Sequence, residues 1–428
     1  MIQLMEYPDT QAIEALLRRD EAKAANVDEP VRAILDTVRR EGDQALYDYT
    51  RQFDGASLSA LEVTPEEMDA AWEAANPDFI RILQAARDNI ESYHCKQKQE
   101  GYIMTRGAGV ILGQRVLPLA RVGIYVPGGT ARYPSTVLMN AIPAKIAGVG
   151  ETVMVTPPDR DGGLPVDILA AAKVAGVDRI FKIGGAQAIA ALSYGTQSVP
   201  RVDKIVGPGN LYVATAKRMV YGLVDIDMIA GPSEILVIAD ETANPRFVAA
   251  DLLSQAEHDR LASANLITDD PDLAEAVREE IETQLSRLPR EEIARSAIEN
   301  YSAILLVQSI EEAVAISNRI APEHLEICTA EPFSLLPLVK NAGSVFLGHY
   351  VPEALGDYMA GTNHTLPTSG TARFSSPLSV EDFVKKSSFT YYDRKAFGQI
   401  GEDVAAFARR EGLEAHANSV QVRLSSQS

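Results

Sequence analysis

The sequence predicts an α/β protein with two successive parallel-sheet arrays, and three observations lead there. The first hundred or so residues place apolar side chains at three- and four-residue spacings, the period of a helix. From Arg121 onward, short β-rich runs alternate with helical ones, and a second alternating series follows GPSE at 231–234. Strand–helix alternation of this kind is what βαβ units and parallel sheets require.

The helical opening consists of QAIEALLRRDEAKAANVDEPVRAILDTVRREGDQALYDYTRQFD and PEEMDAAWEAANPDFIRILQAARDNIESYHCKQKQ, in which few stretches suit a strand. The first array reads RVGIYV, STVLMNAIPAKIAGV, ETVMVT, PVDILAAAKVAGV, RIFKI, AQAIAALSYG, KIVG and NLYVATAKRMVYG. The second reads ILVIAD, PRFVAADLLSQAEH, SANLIT, PDLAEAVREEIETQLSRL, SAILLV, SIEEAVAISNRIA and SVFLG, so the two arrays share a plan. After about Tyr350 comes EALGDYMAGTNHTLPTSGTARFSSPLS, long for an idle loop and therefore expected to be functional. A strand and short helices are expected in the final segment, from Val380 on.

Composition excludes several classes of function. The 428 residues are 46% hydrophobic and 23% charged, ordinary for a soluble chain with more than one core. A net charge of −19 opposes a phosphate-backbone partner, so no nucleic acid is expected. No run of about 18 apolar residues appears, which predicts no membrane span. The two cysteines, Cys95 and Cys328, are too few for a disulfide framework and fit a reducing, cytoplasmic setting.

The residues with chemistry are dispersed. A G-x-G-x-x-G fingerprint is absent, yet glycine turns stand where strands end: VPGGT at 126–130, IGGAQ at 183–187 and VGPGN at 206–210. Each can admit a ligand at a sheet's carboxyl edge, and each alone is an ordinary strand-to-helix connection. Gln255 and His258 lie three apart near a helix end, where they can face one point or simply meet solvent. Glu323 and His324 follow Pro322 and are expected in a turn, as an acid and an imidazole of different resting protonation. Asp357 and His364 occupy the glycine-rich loop, and Glu411 and His416 the C-terminal segment. His94, in the polar run ESYHCKQKQE, reads as a surface residue, and His349 as a capping or otherwise satisfied one.

Taken together, RVGIYVPGG, GGAQAIAALSYGT, VPRVDKIVGPGN, DMIAGPSEILVIAD, DLLSQAEHD, NRIAPEHLEI, LGDYMAGTNHTLPTSGTARFSSPLSV and EGLEAHANSV resemble the histidinol dehydrogenase family, in the family's order over roughly residues 30–420. The resemblance implies oxidation of L-histidinol through L-histidinaldehyde to L-histidine with two NAD+, the last step of histidine biosynthesis. It implies one Zn2+ per subunit on Gln255, His258, Asp357 and His416, the last from the partner subunit of a homodimer with shared active sites. Glu323 and His324 correspond to the catalytic pair, and Ser233, Gln255, His258, His324, Asp357, Glu411 and His416 to the substrate contacts. Tyr125, Gln187 and Asn210 match NAD contacts. The fold implied is two incomplete Rossmann-like parallel-sheet domains with a helical N-terminal extension (1–28) and a small C-terminal one. Residues 29–109 with 237–381 are expected to form the first domain, 110–236 the NAD-binding domain, and 382–428 a dimerisation and active-site tail. The rivals are a related dehydrogenase for another small alcohol, a zinc hydrolase using Glu323 to activate a metal-bound water, and a silent interaction protein.

Overall fold

The computed structural model describes residues 1–9, 11–13, 27–128, 132–229 and 231–426. In chain order its strands are β1 (Gln3–Glu6), β2 (Tyr102–Thr105), β3 (Val110–Pro118), β4 (Arg121–Tyr125), β5 (Glu151–Thr156), β6 (Arg179–Lys182) and β7 (Lys204–Val206). They continue as β8 (Asp225–Ile226), β9 (Glu234–Ala239), β10 (Ser263–Thr268), β11 (Ala303–Leu306), β12 (His324–Cys328), β13 (Ser344–Leu347) and β14 (Val384–Tyr392). The chain divides into two compact units, Met1–Gln97 with Leu119–Phe383, and Lys98–Pro118 with Val384–Ser428.

The first unit holds two parallel sheets. One has the order β6-β5-β4-β7-β8 and the other β1-β11-β10-β9-β12-β13. From β4 the chain moves out through β5 to β6 and returns to β7 on the other side. From β9 it moves out through β10 to β11 and returns to β12. Two arrays of one plan are thus real, and each has a switch point, between β4 and β7 and between β9 and β12. Strands β9 and β10 are buried at every residue, and β9 reads as a nearly unbroken apolar run after Glu234, because helices cover both faces of a parallel sheet.

The N-terminal helices Asp28–Glu41 and Asp43–Phe53 add Val31, Leu35, Val38 and Leu46 to the same core as Val153, Val155 and Phe181. They therefore pack with the five-stranded sheet, whereas the sequence grouped residues 29–109 with the six-stranded one. Amphipathic periodicity identifies an apolar face but not the sheet that covers it.

Two further expectations need correction. The extreme N-terminus, expected to be helical, opens with β1, which pairs in parallel with β11 from Gln3↔Ala303 to Glu6↔Leu306. A four-residue edge strand draws its order from its neighbour and leaves almost no periodic signal; the rest of the expected extension, 10 and 14–26, lies outside the described residues. His94 is fully buried, not on the surface. It ends the helix Pro77–His94 with Nδ1 2.9 Å from the Ile90 carbonyl oxygen, and burial lowers its pKa.

In the second unit β14 runs antiparallel to β3 from Val384↔Pro118 to Tyr392↔Val110, and β2 pairs with the other edge of β3. The helices Arg394–Arg410 and Glu414–Ser425 pack together through Ala405, Ala417 and Val420. No helix among the described residues is long and apolar enough to cross a membrane.

Candidate active site

Strands β9 and β12 are neighbours, with His324 opposite Ile235. This register sets Glu323 and His324, at the amino end of β12, beside Ser233 and Glu234 at the amino end of β9. His324 is the first residue of a strand, contrary to the expected turn, because its backbone joins the ladder between Ile235 and Ser344. The chain reverses earlier, at Ala321 (φ 55°) after the helix Ile310–Ile320.

His324 is 4% exposed. Its Nδ1 lies 2.9 Å from the carbonyl oxygen of Glu234. A carbonyl oxygen only accepts, whereas the Gln255 amide nitrogen, 2.9 Å from the same Nδ1, only donates; with the proton on Nδ1, toward the Glu234 carbonyl, Nε2 is left with its lone pair. Nε2 is buried and has no hydrogen-bond partner. Burial lowers the His324 pKa, so the ring is neutral at ordinary pH and can take a proton at Nε2. The Glu323 carboxylate accepts the Glu234 N–H at 2.9 Å and lies 3.7 Å from His324 Nδ1. Burial, then the neighbouring carboxylates, raise Glu323 well above the usual carboxylate range.

Two more carboxylates arrive on the helix Glu353–Tyr358, where Glu353 and Asp357 share a face at i and i+4. Gly356 lets that helix close on β13, since a Cβ there would stand 2.5 Å from the Phe346 ring. At its start, the Glu353 N–H donates to Glu326 Oε1 at 2.8 Å. His324, Glu353 and Asp357 each offer a ligand atom, all within 4.8 Å of one another. Burial pushes Glu353 up to about 8 and Asp357 up to about 7, which is the behaviour of crowded carboxylates without a cation. Oxygen and imidazole donors so grouped suit a divalent metal such as zinc.

Gln255, in the last turn of the helix Pro245–Ala256, is 1% exposed, and its Nε2 sits 2.9 Å from His324 Nδ1 and 3.3 Å from the Glu234 carbonyl oxygen. His258 is exposed just beyond that helix, and desolvation by the surrounding protein lowers its pKa. His364 Nδ1 lies 3.8 Å from Asp357 Oδ1, and burial lowers His364 to about 4. Ser233 is half-buried directly before β9, where the Ser263 N–H donates to its carbonyl oxygen at 3.0 Å. The glycine-rich loop closes on this place: Ser369 N–H donates to Glu234 Oε1 at 3.0 Å and Gly231 N–H to Thr368 Oγ1 at 2.6 Å. Glu411 and His416 belong to the second unit and are exposed within it. His349 stands elsewhere, its Nε2 3.2 Å from Thr242 Oγ1.

At the carboxyl edge of the five-stranded sheet, Tyr125, Gln187 and Asn210 line one cavity of about 780 Å³. Tyr125 ends β4, and its hydroxyl accepts the Gly185 N–H at 3.1 Å; burial pushes the phenol up to about 12. Gln187 is 1% exposed on the helix Gly185–Tyr194. Asn210 caps the helix Leu211–Val220, its Oδ1 accepting from Tyr212 and Val213 N–H at 3.1 and 3.2 Å. The turn before Asn210 is gripped by a buried ion pair: Lys217, bound to Asp227, donates to the Gly207 carbonyl at 2.9 Å, while Asp227 accepts the Gly207 N–H at 2.7 Å. Position 207 has φ +106°, and a Cβ there would lie 2.1 Å from the Tyr125 carbonyl oxygen, so only glycine fits.

Sequence reasoning passed over Glu353, Glu234 and Glu326. Their signal was an acid inside an otherwise apolar strand, as in EILVIA and HLEIC, or an acid four residues before Asp357 in a helix only six residues long.

A family model described as histidinol dehydrogenase matches residues 17–424. The chain is 57% identical over 410 residues to a histidinol dehydrogenase of Clostridium acetobutylicum, covering 96% of this chain and 95% of the relative. It is 56% identical over 429 residues to one of Syntrophotalea carbinolica, covering 99% of each. The crystal structure of histidinol dehydrogenase from Elizabethkingia anophelis matches with a TM-score of 0.94 at 41% identity, over 100% of this chain and 98% of that one.

Proposed function

The chain belongs to the histidinol dehydrogenase family, a family of oxidoreductases, and from that premise we propose that it oxidises L-histidinol to L-histidine in two steps, with two NAD+ and one Zn2+ per subunit. The observation that carries the reading is the unpartnered, buried Nε2 of a neutral His324 beside a cluster of carboxylates.

Gln255, His258 and Asp357, with His416 of the partner subunit, would hold the zinc, and Glu353 stands close enough to add its charge. When bound, the metal supplies a clamp for the imidazole and amine of histidinol, which orients the carbinol carbon. NAD+, bound along Tyr125, Gln187 and Asn210, supplies the hydride acceptor.

The chain's own residues handle the protons. His324 Nε2 accepts the hydroxyl proton as the carbinol C–H leaves as hydride, giving the aldehyde and an imidazolium. Nδ1–H stays on the Glu234 carbonyl throughout, so the ring keeps its orientation. Glu323, once ionised, takes a proton from the water that adds to the aldehyde; positive charge beside Glu353 and Asp357 favours that ionised form. Having released its first proton, His324 takes a second from the hydrated aldehyde as the second hydride leaves, and the carboxylate product results. Ser233 and Glu411 complete the substrate contacts. A cytoplasmic homodimer, with both cysteines as free thiols, is part of the same reading.

The test is NADH formation by the purified full chain given L-histidinol and NAD+. Two NADH per histidinol, abolished by a chelator and restored by zinc, is expected; no NADH from zinc-replete protein overturns the reading. Mixing a His416→Ala variant with a Glu323→Gln variant restores activity if sites are shared between subunits, and absence of rescue despite subunit exchange argues against sharing.

A further inference from the structure

Asp54 follows the helix Asp43–Phe53 and is held by its own N–H, which donates to the Thr50 carbonyl at 3.0 Å. Asp54 lines the cavity shared by Tyr125, Gln187 and Asn210. Asp54 Oδ2 is buried and accepts no hydrogen bond, and the same is true of Gln187 Oε1. Two residues of the cavity wall thus each carry a side-chain acceptor that no hydrogen bond answers. Burial of an unanswered carboxylate costs stability, and burial alone pushes Asp54 up to about 6. What satisfies such a pair is a ligand that brings O–H or N–H groups.

We propose that Asp54 accepts a hydrogen bond from a ribose hydroxyl of the dinucleotide and, through its charge, rejects a dinucleotide phosphorylated at that hydroxyl. The inference rests on the NAD reading of this cavity. A ribose diol presents donors to the carboxylate, whereas a 2′-phosphate presents only acceptors and close to two negative charges. In parallel nucleotide-binding sheets this carboxylate usually stands at the end of the second strand. Here that place belongs to Asp159, after β5, which is exposed and tied into a turn through Gly162 and Gly163. Asp159 lines the cavity too, but the lining carboxylate with a buried, unanswered oxygen is Asp54, which comes instead from the N-terminal helices. Arg132 and Arg160 also line the cavity; both are exposed, and among the described residues neither pairs with Asp54.

The experiment titrates the full chain with NADH and NADPH, following nicotinamide fluorescence, for the wild type, Asp54→Asn and Asp159→Asn. The wild type is expected to favour NADH, and Asp54→Asn to lower that preference by about tenfold or more while Asp159→Asn changes it by less than about twofold. The KM for histidinol stays unchanged in Asp54→Asn, which separates cofactor reading from a general loss of structure. If Asp54→Asn fails to fold, Asp54→Ser gives the same comparison. A wild type that binds NADH with a preference unmoved by Asp54→Asn overturns the assignment and leaves the NAD reading standing. A wild type that prefers NADPH shows that the arginines answer a phosphate and overturns it. Binding of neither nucleotide overturns both.

Discussion

His324 Nδ1 stands 2.9 Å from the carbonyl oxygen of Glu234, ninety positions earlier in the chain, and a proton held on this contact leaves Nε2 as the ring nitrogen that can act as a base. Two adjacent parallel strands create it, with both residues at the amino ends rather than at the carboxyl ends where ligands usually meet such sheets. The cavity lined by Tyr125 obeys the usual rule, at the carboxyl edge of the other sheet.

Replacing His324 with Asn keeps a polar group in the strand but removes the acceptor at Nε2. The kcat for NADH formation from histidinol is expected to fall by about 10²- to 10⁴-fold, the usual worth of a positioned base. Zinc content should change little, since the proposed ligands are other residues. Steady-state kinetics with metal analysis checks this, and a kcat within tenfold of wild type would exclude His324 as the base.

Gly356→Ala puts a methyl group 2.5 Å from the Phe346 ring. The helix carrying Glu353 and Asp357 must then shift, at about 1–3 kcal/mol by the usual penalty for overpacking. Expected results are a lower melting temperature and less zinc per chain after dialysis against a weak chelator. Phe346→Leu in the same chain should recover part of both.

Lys217→Met leaves Asp227 buried without its cation and Gly207 with an unpaired carbonyl. Side-chain exposures of 2% and 1% make this a buried pair, whose breakage costs about 3–5 kcal/mol. Urea unfolding should show that loss, and KM for NAD+ should rise more than KM for histidinol, since the turn that carries Asn210 is what loosens. Equal effects on both substrates would show the pair to be structural only.

Asp54→Asn should stabilise the ligand-free protein at neutral pH and lose that advantage in acid. The sign follows from a folded pKa near 6, above the ordinary carboxylate value of 3.8. The folded form binds the proton more tightly than the unfolded one, so the wild type loses stability as pH rises from about 4 to 6 and pays the full penalty above. The variant has no such titration. Thermal melts should show a gain of about 1–3 °C at pH 7.5 that vanishes near pH 4; a constant difference across that range would mean the carboxylate is not the cause.

What the sequence by itself determined is the alternation from Arg121 onward, the two arrays of one plan, the glycine turns at strand ends, and the ordered blocks by which the family is recognised. These are local features, written in periods of two and 3.6 residues and in the backbone freedom of glycine. Tertiary structure alone decided that Glu234 and Gln255 meet His324 across separations of 90 and 69 residues. It also decided that Glu353 joins Asp357 beside the same ring, that the polar-looking run around His94 turns its imidazole inward, and that Asp54 faces a cavity built by another segment. The physical reason is common to all of these. A side chain's type and spacing show which face of its own element is apolar, whereas an unanswered lone pair or a crowded carboxylate exists only once strand order and register have brought distant elements together.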